Sequence, residues 1–269
     1  TGIVSLAGGG CSGPSMQPGD LTRVQTFSER PRAGNVYLMR GFIGIWSTGI
    51  DRLGEEINAQ GIRANVYRCE QWHELTDALV QKYKDQKVFE PLVLVGHSWG
   101  ADHLLQIAQS LGENHVPVDL IITLDPVTPP DVPANVKRCY NLYQSHGVLD
   151  AIPYFRGVPL KAAPDNRNVL TNVNIRTDRT DLLEPNTDHF NIEKNEKIHG
   201  EVLRQLMTVC PTRQEWVRAH PTYVPPVREA QTASHQAVKP PAATGQETRG
   251  GGGAGGGGGA SKLRAAAGP

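Results

Sequence analysis

A serine, an aspartate and a histidine that lie far apart in the sequence are the residues best suited to joint chemistry. Ser98 stands in "GHSWG" (residues 96–100), Asp125 in "ITLDPVTPP" and His189 in "EPNTDHFNIEK". A serine hydroxyl is a poor nucleophile at neutral pH, and it needs a base such as histidine within hydrogen-bond reach. A carboxylate holds the imidazole in one tautomer and stabilises its protonated form. We therefore predict acyl transfer with Ser98 as nucleophile, His189 as base and Asp125 as acid.

The residues around Ser98 favour a nucleophile elbow, which is a sharp turn from a strand into a helix. The apolar run "LVLV" (residues 92–95) is typical of a strand buried on both faces of a parallel sheet. Apolar residues then recur at helical spacing from 104 to 111. Gly96 and Gly100 stand two positions on either side of the serine, where such a turn needs small residues.

Two backbone amides are candidates for binding the oxyanion of a tetrahedral intermediate. Phe42 lies in "RGFIGIWS" (residues 40–47), a glycine-containing turn after the first predicted strand, and Trp99 directly follows the serine. Each preorganised donor of this kind is worth on the order of 3 kcal/mol of transition-state stabilisation. Phe42 and Trp99 are therefore predicted to form the oxyanion hole.

Other carboxylates and histidines compete for the acid and base roles. Asp150, in "QSHGVLDAIP", follows the next predicted strand and is the alternative acid, but Asp125 adjoins a stronger buried strand. Asp188 is next to His189, and adjacent side chains seldom reach the geometry of a triad. The rival bases are His146, which lies in a loop and stays open as an alternative, and His199, which we expect on the surface of the last helix. His97 and His103 are expected to be packing or surface residues.

Strands and helices alternate through the central part of the chain, which predicts a mostly parallel sheet covered on both faces. The predicted strands lie at 36–39, 62–66, 92–95, 120–124, 136–143 and 173–175, and the helices at 50–57, 72–83, 104–111 and 198–206. Active sites of such sheets lie at the carboxyl ends of the strands. Ser98, Asp125 and His189 all follow predicted strands, so we expect them to meet there.

The composition divides the chain into three parts. Apolar residues are frequent from about 36 to 210, which predicts one domain over residues 36–210. Residues 1–35 are predicted to be a flexible leader. Residues 211–269 are rich in proline and glycine, include "RGGGGAGGGGGASKL" and have no sustained apolar period. They are predicted to be a disordered tail, with a natural or an engineered linker.

Charge and cysteine spacing exclude several functions. The 27 basic and 27 acidic residues balance, which argues against an electrostatic nucleic-acid binder. No apolar run reaches the roughly 18 residues of a spanning helix. Cys11, Cys69, Cys139 and Cys210 are too widely spaced for a zinc or redox motif, and no metal or cofactor is predicted. Cys11 is a candidate lipid acceptor, as in bacterial lipoproteins, so cytoplasmic and exported locations both stay open.

The motif "GHSWG", the strand before it and the chain order Ser98, Asp125, His189 resemble the α/β-hydrolase superfamily. The segments "YLMRGFIGIWSTGIDRLGEEI" and "VLVGHSWGADHLL" are similar to small bacterial hydrolases of lipase or thioesterase type. The resemblance spans residues 36–207 and implies a three-layer α/β-hydrolase fold. It also implies a serine hydrolase that cleaves small-molecule carboxylic esters or thioesters through an acyl-enzyme.

The sequence departs from the pattern of this superfamily at three places. Asp125 is followed by proline and comes after the strand that corresponds to the sixth strand of the superfamily's sheet, and this placement of the acid is similar to that in pancreatic-type lipases. In much of the superfamily the acid follows the next strand. Arg40 stands where many relatives have histidine. Only a short interval separates Pro126 from Val136, where larger relatives insert a lid, so a minimal lid or none is expected. Residues 144–170 are either a flap for an acyl chain or a surface loop.

Two other functions stay open beside hydrolysis. The same three residues could transfer an acyl group to an acceptor other than water. A hydrolase fold can also lose its activity and serve as a binding domain, because a fold does not determine a function. Labelling of the serine and analysis of the products would separate these functions.

Overall fold

The computed structural model describes residues 18–22, 24, 26–41, 48–145 and 157–224. The chain divides into two units, residues 1–226 and 227–269, and every described residue lies in the first. Several predictions fall outside the described residues, namely those on Cys11, Phe42, His146, Asp150 and the glycine-rich part of the tail.

Within the described residues, six strands form one parallel sheet. They are β1 (Asn35–Met39), β2 (Arg63–Tyr67), β3 (Leu92–His97), β4 (Leu120–Leu124), β5 (Arg138–Tyr143) and β6 (Val169–Asn174). Their order across the sheet is β2-β1-β3-β4-β5-β6, and every neighbouring pair is parallel. The predicted parallel sheet of about six strands is confirmed.

The helices of the described chain cover both faces of this sheet. They are α1 (Thr48–Ala59), α2 (Trp72–Tyr83), α3 (Trp99–Glu113) and α4 (Glu196–Val209), and a fifth helix, α5 (Arg213–Ala219), follows α4 without burying any of its residues. Apolar residues of α1 and α4 share one buried cluster with the sheet, and those of α2 and α3 share a second. The three-layer arrangement predicted from the sequence is therefore confirmed.

Alternation along β1 shows how the two apolar layers arise. Val36 and Leu38 pack in the cluster with α1 and α4, whereas Tyr37 and Met39 pack in the cluster with α2 and α3. Successive side chains of a strand point to opposite faces, so a strand covered on both faces must be apolar throughout. The same rule explains the run "LVLV" in β3, where every residue of the strand is buried.

The connection from β4 to β5 is short. Residues 125–137 are all described, and they contain no helix and no inserted domain. An isolated bridge joins Val132 of this connection to Ala162. This connection therefore contributes no lid domain at the carboxyl end of β4, as predicted.

The structured part of the chain extends beyond both predicted borders of the domain. Leu21, in the predicted leader, is fully buried, and the carbonyl of Gly19 accepts a hydrogen bond of 3.1 Å from the Tyr37 hydroxyl. At the other end, α5 lies within the predicted tail. A capping box between Thr212 and Glu215 begins this helix. The sequence "RQEWVRA" of α5 has no sustained apolar period, which was the basis of the predicted border, and the helix buries none of its residues.

A buried carboxylate attaches the segment after α5 to the sheet. Glu90, which is 1% exposed, accepts a 2.6 Å hydrogen bond from the Tyr223 hydroxyl and pairs with Arg213 at 3.2 Å. It also accepts hydrogen bonds from the Arg63 side chain and from the amide of Gly34. These donors compensate for the loss of hydration of a buried charge. They lie near the amino ends of the strands, opposite the end where the site is predicted.

Among the described residues, no helix combines the length and the apolar character that crossing a membrane requires.

Candidate active site

The parallel register brings three chain turns to the same edge of the sheet. Met39 is paired with Gly96, and His97 with Leu124, so β1, β3 and β4 end side by side. The ladder continues into the turns, because the Ser98 amide donates to the Leu124 carbonyl at 2.9 Å. In the same way, the Asp125 amide donates to the carbonyl of Leu142 at 2.9 Å.

Ser98 has the backbone of a strained turn. Its φ of 55° and ψ of −128° lie in a region that residues with a side chain rarely adopt. The residue joins β3 directly to α3 and is 9% exposed. Gly100 makes the turn possible, because a Cβ there would lie 2.3 Å from the Arg40 carbonyl oxygen. A Cβ at Gly96 would lie 2.9 Å from the backbone nitrogen of Ala101, so both glycines are required by close packing against the backbone.

His189 reaches Ser98 from the loop between β6 and α4. Its Nε2 lies 3.0 Å from the Ser98 Oγ, which is within hydrogen-bond range. The imidazole is buried, with 6% of its side chain exposed. Two residues separated by 91 positions are thus brought into direct contact. The serine and the histidine singled out by the sequence are therefore neighbours.

Asp125 lies behind the imidazole. The distance from its Oδ2 to the His189 Nδ1 is 3.4 Å, longer than an ordinary hydrogen bond, and no acceptor in the described chain bonds Nδ1 with good geometry. The carboxylate is fully buried and is held by Gln144, whose backbone amide donates to Oδ1 at 2.7 Å and whose side chain donates to Oδ2 at 3.0 Å. Contacts of this kind often shorten when substrate is bound.

His97 contacts the candidate base, which was not foreseen from the sequence. Its Nε2 donates to the carbonyl of His189 at 2.8 Å, in the tautomer that carries the proton there. Burial, with a contribution from His189, lowers the pKa of His97 from 6.5 to about 3. His97 is consequently neutral near neutral pH, and it supports the backbone of His189 without adding a charge.

The competing residues are engaged elsewhere. Asp188 is exposed, and its carboxylate accepts a 2.8 Å hydrogen bond from the amide of Phe190. The expectation of a surface position for His199 is wrong, because α1 covers this side of α4 and leaves His199 only 2% exposed. Its ring nitrogens lie 2.9 Å from the Glu56 carboxylate and 2.7 Å from the carbonyl of Glu193. Neither Asp188 nor His199 is placed to serve Ser98.

One of the two residues predicted for the oxyanion hole lies within the described chain. Trp99 is the first residue of α3, and backbone amides in a first helical turn have no acceptor within their own helix. Gly41 lies beside the serine, since a Cβ on it would be 3.1 Å from the Cβ of Ser98. Phe42 itself lies outside the described residues. Arg40 forms an ion pair with Asp51 of α1, with its Nε 3.1 Å from Oδ1, which connects the end of β1 to that helix.

An exposed phenyl ring adjoins the candidate base. Phe190 is 51% exposed, and its ring meets the imidazole of His189 edge to face, with centroids 5.6 Å apart. In the described chain, no group of three or more histidine, cysteine, aspartate or glutamate side chains is arranged to hold a metal ion. The described part of the site presents a serine hydroxyl, an imidazole and a carboxylate beside the exposed ring of Phe190.

No family model matches the sequence, and no curated protein matches it. Among solved structures, Est1E from Butyrivibrio proteoclasticus is 18% identical with a TM-score of 0.28, and the match covers 36% of this chain and 42% of that protein. A serine hydrolase without a lid from Xanthomonas campestris is 12% identical, with a TM-score of 0.41 and coverage of 70% and 87%. The esterase domain of a Rhodothermus marinus protein is 14% identical, with a TM-score of 0.38 and coverage of 68% and 89%.

The match with the Butyrivibrio protein spans less than half of that protein's length. At these identities and TM-scores, no activity is transferred from any of the three proteins to this chain. The chemistry of the site has to follow from its own residues.

A second buried carboxyl lies four residues after His189. Glu193 is fully buried against the backbone of Gly49 in the first turn of α1, and neither of its side-chain oxygens has a hydrogen-bond partner of good geometry in the described chain. Burial raises the pKa of Glu193 from 4.5 to about 7, while Lys194 and the amide of Gly49 oppose the change. The carboxyl is therefore held largely neutral in mildly acidic solution.

This pKa predicts a pH-dependent stability. Below pH 4.5 Glu193 is protonated in both the folded and the unfolded chain, and as pH rises toward about 7 only the unfolded chain ionises freely. The free energy of unfolding should therefore decrease across this window. The variant Glu193→Gln cannot ionise, so it should lose this part of the decrease. Urea unfolding at a series of pH values, compared between the two proteins, measures the difference. Equal pH slopes for both proteins would contradict the prediction.

Proposed function

We propose that this protein, which has the α/β-hydrolase fold, is a serine hydrolase that cleaves carboxylic ester or thioester bonds through an acyl-enzyme on Ser98. The observation that carries the proposal is the 3.0 Å contact between the Ser98 Oγ and the His189 Nε2. The contact is made on a strained strand-to-helix turn, with φ of 55° at the serine. Backbone strain at such a turn is a recurrent feature of functional residues.

In the proposed acylation, His189 acts first as a base and then as an acid. Its Nε2 takes the hydroxyl proton as the Ser98 Oγ attacks the substrate carbonyl carbon, and the carbonyl electron pair moves onto oxygen. The backbone amides of Trp99 and Phe42 would stabilise this oxyanion. The tetrahedral intermediate collapses, the bond to the alcohol or thiol breaks, and His189 returns the proton to that leaving group. The acyl group is then bound to Ser98 as an ester.

Deacylation repeats the same sequence with water as the nucleophile. His189 takes a proton from water, the resulting hydroxide attacks the acyl carbon, and the carboxylic acid leaves as the proton returns to Ser98. In both halves the imidazole becomes positively charged while it holds the proton. Asp125, buried behind Nδ1, would stabilise that charge and orient the ring.

The surroundings of the site favour a substrate with an apolar part. Phe190 exposes half of its surface next to His189, and the short connection over residues 125–137 contains no inserted domain that would cover it. Burial of apolar substrate surface against such a ring contributes roughly 25 cal/mol per Å². An ester or thioester with an apolar acyl or alkyl group therefore fits the site better than a highly charged one.

The predicted activity of Ser98 can be tested with a fluorophosphonate probe, which reacts covalently with activated serines. The wild-type protein should be labelled on the peptide that contains Ser98, and labelling should disappear in Ser98→Ala. Ser110→Ala, in the last turn of α3, is a matched control that should be labelled like the wild type. Peptide mass spectrometry locates the adduct. A folded wild-type protein without label at Ser98 would favour a binding domain that has lost activity.

Substitution of the acid separates the two aspartate candidates. Asp125→Asn should reduce ester hydrolysis by about a thousandfold or more, because an amide selects the wrong imidazole tautomer and cannot stabilise its charge. Asp150→Asn should retain near wild-type turnover. Initial rates with 4-nitrophenyl esters, measured on variants of equal thermal stability, check both expectations. The opposite result would reassign the acid to Asp150.

A further inference from the structure

We infer that Gln144 is a positioning residue for Asp125, and that Arg176 sets the orientation of the Gln144 side-chain amide. The inference rests on the proposed function, since it concerns the acid of that site. Neither residue was singled out by its sequence context. The structure places them in a chain of hydrogen bonds that runs from the carboxylate to the loop of the base.

Gln144 contacts both oxygens of the carboxylate. It follows β5 directly and is fully buried, as is Asp125. Its backbone amide donates to Oδ1 at 2.7 Å, and its Nε2 donates to Oδ2 at 3.0 Å. Two donors from one residue determine the plane of the carboxylate as well as its position. The Oδ2 atom that accepts from the side chain is the one that faces the His189 Nδ1.

Arg176 decides which end of the amide faces the acid. A glutamine side chain has an oxygen and a nitrogen of nearly equal shape, and the hydrogen-bond partners select between the two orientations. Nη2 of Arg176 lies 2.8 Å from the Oε1 of Gln144, and a guanidinium can only donate. The amide oxygen must therefore face Arg176, which leaves the amide nitrogen to face Asp125.

The same guanidinium nitrogen reaches the loop of the base. Nη2 of Arg176 donates to the carbonyl of Thr187 at 2.6 Å, two residues before His189. One side chain thus contacts the partner of the acid and the segment that carries the base. If Gln144 or the segment at Thr187 were displaced, Arg176 would have to move, and its contact with the other one would change.

Electrostatics predicts how the loss of these hydrogen bonds would change the proton affinity of the acid and base pair. A fully buried carboxylate without donors is strongly disfavoured, and hydrogen bonds to the charged form stabilise it. The contact with His189 is long at 3.4 Å, so among the described residues the two bonds from Gln144 are the short ones that the carboxylate accepts. Loss of the side-chain donor should make the acid and base pair take up a proton more readily. As the pH is lowered, the active form would then be lost at a higher pH than in the wild-type protein.

A series of Gln144 variants distinguishes this role from simple packing. Gln144→Met keeps the length and removes the donor. Gln144→Glu keeps the shape and the pairing with Arg176, but it places an acceptor or a second charge against Asp125. If packing alone matters, the isosteric Gln144→Glu should be the milder change. If the donor matters, Gln144→Glu should be the more harmful one, because like charges at one site disfavour each other.

The readout is the rate constant of inactivation by the fluorophosphonate as a function of pH, on variants whose melting temperatures show that they fold. We expect the rate on the plateau to decrease about tenfold in Gln144→Met and further in Gln144→Glu, by comparison with losses of supporting contacts at other sites. The acidic limb should move to higher pH by about one unit, the equivalent of a hydrogen bond to a charged group. Gln60→Met, at an exposed glutamine after α1, is the control and should match the wild type.

Arg176 supplies a second test that is independent of changes at Gln144. Arg176→Met should move the acidic limb in the same direction, and Arg176→Lys, which keeps a donor and the charge, should restore most of the wild-type profile. If the wild-type protein is labelled normally but the pH profiles of the Gln144 and Arg176 variants match the wild-type profile, this inference is overturned and the proposed function is not. A wild-type protein that does not label at Ser98 would instead overturn the proposed function.

Discussion

The left-handed backbone at Ser98 is the constraint on which the rest of the site depends. Residues held in such conformations cost of order 1–3 kcal/mol, and they persist only where the surrounding structure enforces them. Here β3 is buried along its whole length, α3 packs directly after it, and Gly100 lies against the carbonyl of Arg40. The turn presents the serine hydroxyl at the carboxyl edge of the sheet, where the ends of β1 and β4 lie beside it. The strain is therefore offset by the same core that forms the fold.

The two edges of the sheet contain buried carboxylates with different surroundings. At the amino edge, Glu90 is surrounded by arginines, a tyrosine hydroxyl and an amide, which compensate for its charge and attach α5 and the segment after it to the sheet. At the carboxyl edge, Asp125 has two donors from Gln144 and a longer contact to His189. A carboxylate that still has an oxygen directed at an imidazole can respond when that imidazole becomes charged. The second arrangement suits catalysis, whereas the first suits stability.

Patterns within short segments predicted much of this structure. The apolar runs predicted β3 and β4, the helical period predicted α3, and residue chemistry singled out Ser98, Asp125 and His189, which the fold brings together. Contacts between distant segments could not be predicted in this way. The support of His189 by His97, the burial of His199 under α1 and the pairing of Gln144 with Arg176 all depend on tertiary packing. The capping residues Thr212 and Glu215 indicate the start of α5 in the sequence, but the helix was not predicted because the segment has no apolar period.

The central claim is that Ser98 forms an acyl-enzyme, and rapid-mixing kinetics with a 4-nitrophenyl ester of an apolar acid test it most directly. If deacylation is the slower step, nitrophenol should appear in a burst equivalent to about one molecule per protein, followed by slower turnover. Acid quenching during the burst should trap a protein heavier by one acyl group, with the added mass on the peptide that contains Ser98. An acylated peptide without Ser98, or turnover with no acyl adduct on the protein at any time, would contradict the account.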